Sequence, residues 1–552
     1  MANINKIDGN AFRQIMAAAS SYLADNKERV DSLNVFPVPD GDTGTNMSLT
    51  FQSAVAELAK VGSNKVGDLT QALARGALMG ARGNSGVILS QLLRGFAQEA
   101  DAKETLDGIS LAKCLSGASK MAYRAVIKPV EGTILTVARE AGEASLRASR
   151  EKNDAYYVLK RFVTAARISL DNTPNMLPVL KEAGVVDAGG AGYLIIWEGV
   201  LKYLDGDLTT LEDQKSDQKA SFAGVLSDES IQFRYCTEFI IQGENIPQDN
   251  LRDYLLNLGD SLIVVGDGDL VKVHVHTNNP GLALEKAVKY GELFKIKIEN
   301  MVEQNKDAVS SGKASWNTEL GAVAFKSAQK AEVEQEIGIV AIAAGDGISE
   351  IINSLGADRI VSGGQTMNPS TADILEAVED CPAKSVIILP NNKNIIATAK
   401  QVPDVTNKKV YVIESRSIPQ GIKALLSYDP DMGVEDNFQN MSQALKEVKT
   451  GEVTFAVRDT TMNGIQIGQQ DIIGLSEGKI QAVGKDVSEV VKDLVSKIVD
   501  ENSAILTLYY GADVTEEEAT LLVEELEKQY PDLEVEAYSG NQPLYYYLIS
   551  VE

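Results

Sequence analysis

Histidine is almost missing from this 552-residue chain: there are two, His274 and His276, and they stand together. Chemistry that requires a histidine anywhere else is excluded, a protein-kinase His-Arg-Asp loop included. Cysteine is nearly as scarce, and Cys114, Cys236 and Cys381 are too few and too far apart for a disulfide framework. No apolar run approaches the roughly 20 residues that a spanning helix needs. The start, MANINKIDGN, has no basic region followed by an apolar stretch. No membrane span is expected, and a cytoplasmic location is. Positive charge is outnumbered, with 52 Lys and Arg against 78 Asp and Glu and a net charge of −26. That balance argues against a nucleic-acid partner or an anionic membrane surface. It leaves ATP open, because magnesium brings its own charge. A Gly-x-x-x-x-Gly-Lys-Ser/Thr loop is also lacking.

What is present reads as a multidomain protein, as the length requires. Residues 1–205 are expected to be all-α, since Ala54–Leu58, Leu69–Leu78 and Val87–Phe96 carry apolar residues at three- and four-residue spacing. A polar linker follows over 206–224. Short strands, including Arg234–Ile241 and Leu262–His276, then predict a small α+β middle domain over 225–306. Residues 307–334 read as a second connection. From 335 to 552 strands such as Ile337–Ala343, Ser385–Leu389 and Lys409–Glu414 alternate with helical segments, which predicts an α/β region of one or two lobes.

The segment Asn34–Met47, NVFPVPDGDTGTNM, sets Asp40 and Asp42 on either side of Gly41. Two carboxylates turned to a common point repel unless a cation sits between them, and magnesium favours such oxygen ligands. The plainer alternative is a turn in which Asp42, Thr43 or Thr45 caps the next helix. Gly80–Gly86 places glycines and Ser85 ahead of the apolar run Val87–Leu93, and exposed N–H groups at a helix start suit a phosphate. Close glycine packing in a bundle is the alternative there. Lys128–Thr133 and Val186–Gly192 are further small-residue turns entering helices.

The alternation of Val271–His276 predicts a strand with His274 and His276 on one face, about 6.5–7 Å apart at Cα. Cys236, on another predicted strand, could complete a Cys-His-His set that suits zinc. A half-exposed polar strand face, or a phosphohistidine, are the alternatives. Gly345–Gly347, Ser362–Gln365, Asn391–Asn394 and Ser415–Ser417 follow strands, where a parallel sheet gathers its ligand-binding loops, though all are ordinary turn residues too.

The four N-terminal turns in this order resemble the dihydroxyacetone-kinase L-subunit family, a helical barrel that binds ATP through two magnesium ions. The resemblance implies that Asp40 and Asp42 are metal ligands and the catalytic centre. Asn34 is the nearest counterpart of a third ligand, one residue further upstream than the family spacing, and Thr43 stands where the family has a histidine. The nucleotide and its phosphates would lie among Asn34, Thr43, Thr45, Asn46, Asn84, Ser85, Gly86, Thr133, Asp187 and Gly189. The order of parts along the whole chain resembles the fatty acid kinase catalytic subunits of Gram-positive bacteria, with a C-terminal region similar to the dihydroxyacetone-binding K subunit. That family implies phosphoryl transfer from ATP to a fatty acid carboxylate presented by a separate fatty-acid-binding carrier, giving acyl phosphate for phospholipid synthesis. A homodimer is the expected assembly. A dihydroxyacetone-type kinase is the alternative, as is a nucleotide-binding regulatory scaffold. The first is disfavoured, because the K subunit holds its ketone on a histidine and residues 335–552 contain none.

Overall fold

The computed structural model describes residues 5–34, 41–126, 128–208, 235–243, 246–247, 251, 254–255, 258–267, 270–300, 335–364, 368–462 and 465–552. For several strand residues, Cys236, His274 and His276 among them, it describes the backbone and not the side chain. Asp40, nearly all of the polar linker and the whole 307–334 connection lie outside the described residues. The chain forms two compact units, Met1–Gln214 together with Lys330–Glu552, and Lys215–Gln329. No described helix is long and apolar enough to cross a membrane.

The N-terminal region is helical. It comprises α1 (Gly9–Asp25), α2 (Lys27–Asp31), α3 (Thr43–Ala59), α4 (Val66–Met79), α5 (Gly83–Ala100), α6 (Gly108–Ala125), α7 (Ile134–Glu151), α8 (Ala155–Met176), α9 (Pro178–Ala183) and α10 (Ala188–Asp205). Many of the starts are set by a short polar side chain: Asp8, Asp107, Thr133, Asp154 and Asp187 each accept from a first-turn N–H. The long helices pack in sequence from α3 to α8, and α10 returns against α8 and α1, closing a barrel. Glycine lets neighbours approach: a Cβ on Gly95 of α5 would stand 2.6 Å from the Gly117 carbonyl of α6. The interior is filled by Phe12, Phe96, Phe162, Tyr193 and Trp197, with the Phe162 and Trp197 rings edge to face at 5.4 Å. One addition to the all-α expectation is a short antiparallel ribbon, β1 (Lys6–Ile7) with β2 (Leu106–Asp107).

The second unit contains an antiparallel sheet of β3 (Tyr235–Gln242), β4 (Gly259–Asp267), β5 (Leu270–Thr277) and β6 (Glu292–Asn300) in the order β4-β5-β3-β6. The stretch Leu262–His276, expected among short strands with turns, falls in β4 and β5, an antiparallel pair. The helix Pro280–Val288 supplies Ala283 and Ala287 to a core that includes Phe239, Ile241, Val271, Val273 and Val275.

The C-terminal region has two sheets. The first is all parallel, β7 (Gln335–Ala343), β8 (Arg359–Ser362), β9 (Ala383–Leu389) and β10 (Lys409–Val412), in the order β10-β9-β7-β8. Both faces are covered, so successive residues of β7 enter opposite cores: Ile339 and Ala341 one, Val340 and Ile342 the other. A small antiparallel hairpin, β12 (Thr460–Met462) with β13 (Ile465–Ile467), follows β11 (Lys449–Phe455). The second sheet joins β11 to β14 (Ile472–Ser476), β15 (Lys479–Gly484), β16 (Ile505–Tyr510), β17 (Glu534–Ser539) and β18 (Tyr545–Val551) in the order β15-β14-β11-β18-β16-β17. Helices Val487–Ile498 and Glu516–Gln529 pack on it through Val491, Leu494, Leu522 and Leu526. Cys114 and Cys381 are buried free thiols, and burial pushes the Cys114 thiol up to about 12.

Candidate functional site

The starts of α3 and α5 meet at one place. Asp31, the last residue of α2, accepts the N–H groups of Gly44 and Thr45 at 2.6 and 3.2 Å and the Thr45 hydroxyl at 2.8 Å. It is therefore Asp31 that holds the first turn of α3, and Thr45 is engaged in that contact. Asp42, which immediately precedes α3, makes no side-chain cap. Its carboxylate accepts instead from the Asn368 amide of the C-terminal region. The Thr43 hydroxyl donates to Asn34 Oδ1 at 2.8 Å, while Asn34 Nδ2 donates to the Asp31 carbonyl at 2.9 Å. Ser85 Oγ, in the first turn of α5, lies 3.5 Å from the Thr43 hydroxyl. The Asp-Gly-Asp loop and the Asn-Ser-Gly turn, 42 residues apart at that contact, thus share Thr43.

Glycine is required at the α5 start. Gly83 has φ +58°, in the left-handed region, and a Cβ there would come within 2.5 Å of the buried Asn46 amide. Gly86 lies flush against the Thr50 hydroxyl. Arg82, which precedes α5, makes no side-chain cap, and among the described residues no side chain accepts from the helix's first-turn N–H groups, so these and the dipole are available to an anion beside Ser85. Asn84 is exposed and borders a cleft of about 950 Å³ that runs beside Val87, Gln91 and Met121 toward Lys393 and Gln401.

The other expected residues stand at the starts of α7 and α10. Thr133 accepts from Leu135 N–H at 3.4 Å and donates to the Val130 carbonyl at 2.8 Å. Asp187 Oδ2 accepts from Gly190 N–H at 2.7 Å. Burial pushes the Asp187 carboxyl up to about 6, although the N–H groups of Gly190 and Ile134 pull the other way. Gly189 is adjacent, where a Cβ would touch Asp187 Oδ2 at 3.4 Å.

The donors around Asp42 suit magnesium. They are oxygens, and one of them, Asn368 Oδ1, is buried without a hydrogen-bond partner among the described residues, beside the Asp42 carboxylate. No group of three His, Cys, Asp or Glu gathers among the described residues. A cation that shares its shell with substrate phosphates needs no such cage. In the middle sheet the backbone register puts Cys236 across from His276, and Glu238 across from His274.

Four contributors were missed by sequence reasoning. Besides Asp31 and Asn368 they are Arg82, which donates to the Asn368 carbonyl at 2.8 Å and pairs with Asp373 at 3.3 Å, and Arg458. The Arg458 guanidinium donates to the carbonyls of Ser32, at 2.6 Å, and Asn34.

Comparison with known families gives this arrangement a class. Residues 37–202 match the DAK2 domain, which makes the helical barrel a kinase-family domain. Residues 232–308 and 338–552 match the FakA-like middle and C-terminal domains, both of the fatty acid kinase type. The chain belongs to the FakA-like fatty acid kinase family. Uncharacterized proteins of Staphylococcus haemolyticus and Staphylococcus aureus USA300 are 43% and 42% identical to it over the full length of both chains. Among solved structures, a fatty-acid-binding DegV family protein from Thermus thermophilus covers 40% of this chain and 100% of its own at 13% identity and TM-score 0.30. The dihydroxyacetone kinase of C. freundii in complex with AMP-PNP and Mg2+ covers 34% of this chain and 33% of its own at 21% identity and TM-score 0.26.

Proposed function

We propose that this chain transfers the γ-phosphoryl group of ATP to the carboxylate of a fatty acid presented by a separate fatty-acid-binding protein, giving ADP and an acyl phosphate for phospholipid synthesis in the cytoplasm. The observation that carries the proposal is the meeting of the two loops at Thr43, hydrogen-bonded to Asn34 and next to Ser85. Asp40 and Asp42 would hold the metal, with Asn34 orienting Thr43. Ser85, Gly86 and the uncapped N–H groups of α5 would receive phosphate oxygens. Thr133, Asp187 and Gly189 would flank the nucleotide. Magnesium, when bound, supplies positive charge that offsets the charge on the transferring group.

A carboxylate acceptor asks little of the site. A carboxylate oxygen attacks the γ-phosphorus as the bond to the β–γ bridging oxygen breaks, and ADP leaves with that electron pair. A fatty acid is ionised at neutral pH, so no proton has to be removed. A hydroxyl acceptor needs a general base, a role that a carboxylate can fill in phosphoryl transfer, whereas a carboxylate acceptor needs none. The scarcity of histidine disfavours a ketone held on a histidine of residues 335–552.

The test is ADP release from Mg-ATP with and without a fatty-acid-loaded carrier. Turnover only with the loaded carrier, with acyl phosphate trapped as a hydroxamate, is expected. ATP binding without turnover under any condition would replace the kinase with a regulatory scaffold. For the middle sheet we propose zinc on Cys236, His274 and His276, with a water or other ligand in the fourth position, supported by the register of β3 and β5. Metal analysis of the full chain should find zinc, and less of it in His274→Ala. Zinc-free native protein would remove the site.

A further inference from the structure

We propose that Asn368 belongs to the metal site although it comes from the C-terminal region: its carboxamide, which donates to Asp42, would turn its oxygen to the metal, or to a metal-bound water, when the cation binds. The inference rests on Asp42 as a metal ligand and adds a partner that no local motif announces.

The side chain is only 1% exposed, and its two ends are treated unequally. Nδ2 donates to Asp42 Oδ2, whereas Oδ1 has no partner among the described residues. A buried carbonyl oxygen left unpaired loses its water and gains nothing in return. The amide cannot simply flip to satisfy it, because Oδ1 would then face the Asp42 carboxylate, oxygen against oxygen. A cation between them reverses that preference, since magnesium accepts both oxygens or waters bound to them. The side chain therefore has two arrangements, and the cation selects between them.

The position is fixed by its surroundings and not by chance contact. Arg82 at the α5 start donates to the Asn368 carbonyl at 2.8 Å, and Thr371 N–H donates to the Ala81 carbonyl at 3.2 Å. Ser370 and Asp373 then form a reciprocal cap on the helix Thr371–Glu379, at 3.1 and 2.7 Å. Asn368 is thereby held against the turn that also carries Asn84 and Ser85. Gly83 is part of the same arrangement: a Cβ there would stand 3.5 Å from Asn368 Nδ2.

The experiment measures Mn2+ affinity by electron paramagnetic resonance in the full chain with AMP-PNP, alongside thermal melts with and without Mg2+-AMP-PNP. Asn368→Ala should weaken Mn2+ binding about 10–100-fold, as loss of a residue supporting a metal ligand does. Asn368→Asp sets a second carboxylate against Asp42, so it should melt lower than wild type without metal and show a larger Mg2+-dependent rise in Tm. A purely structural Asn368 would lower Tm equally in both conditions and leave Mn2+ affinity unchanged, and that result overturns the inference alone. Undiminished Mn2+ affinity in Asp42→Ala would overturn the inference together with the metal assignment on which it stands.

Discussion

Asp187 is a carboxylate that the fold holds against its own charge. Its carboxyl is raised from 3.8 to about 6 because burial outweighs the N–H groups of Gly190 and Ile134. The folded chain therefore keeps a proton that the unfolded chain has already released between these two values. Stability from this group is present at acidic pH and is lost as pH rises through about 6. Asp187→Asn keeps an acceptor for Gly190 N–H and cannot ionise, so it escapes that loss. The variant should gain on wild type by on the order of 1–2 kcal/mol between pH 5 and pH 8, allowing for solvent screening. Thermal melts across that range check this, and a difference that does not change with pH would refute it.

At the scale of elements, the turns that could be read from sequence are those whose chemistry is local, while the placing of Thr133 and Asp187 at a nucleotide came from the family resemblance. Thr133 and Asp187 sit one residue before helices they cap, and Gly83 supplies a left-handed turn directly ahead of α5. Each needs only its immediate neighbours, so a short window of sequence carries the signal. The same holds for the parallel sheet, where β7 and β9 bury both faces and show as near-continuous apolar runs. Asp31 was not legible. It lies in the charged stretch Lys27–Asp31, which looks like a solvated helix end, and its partners are 13 and 14 residues away across the Asp-Gly-Asp loop. The plainer alternative read from sequence made Asp42, Thr43 or Thr45 the α3 cap, because all three stand at the helix start. The structure assigns that work to Asp31 and leaves Asp42 to face Asn368. The boundary between β4 and β5 was hidden for a related reason: period-two alternation marks strand residues, but does not by itself show where one strand ends and the next begins.

At the scale of the molecule, the helical barrel and the α/β region share one compact unit, and their junction runs through the loops of the candidate site. Asn368 is 326 residues from Asp42, and Arg458 is 424 residues from Asn34, so no window of sequence could pair them. Arg458 is half-buried, with its pKa lowered by desolvation, and its guanidinium holds the Ser32 and Asn34 carbonyls on the chain that leads into the Asp-Gly-Asp loop. A charged donor shared by two carbonyls is worth about 2 kcal/mol, and its loss falls on that segment first. Arg458→Ala should therefore leave the cores of both regions intact while loosening the start of α3. Hydrogen exchange should read this directly: amides of Thr43–Met47 are expected to exchange ~30-fold faster in the variant, the factor that corresponds to about 2 kcal/mol. Amides in β7 and β9, far into the parallel sheet, should be unchanged. Equal acceleration everywhere would mean that Arg458 contributes only to global stability, and unchanged exchange at Thr43–Met47 would mean that the barrel orders the start of α3 without the C-terminal region. Local loosening alone would mean that the α/β region orders the loops of the candidate site.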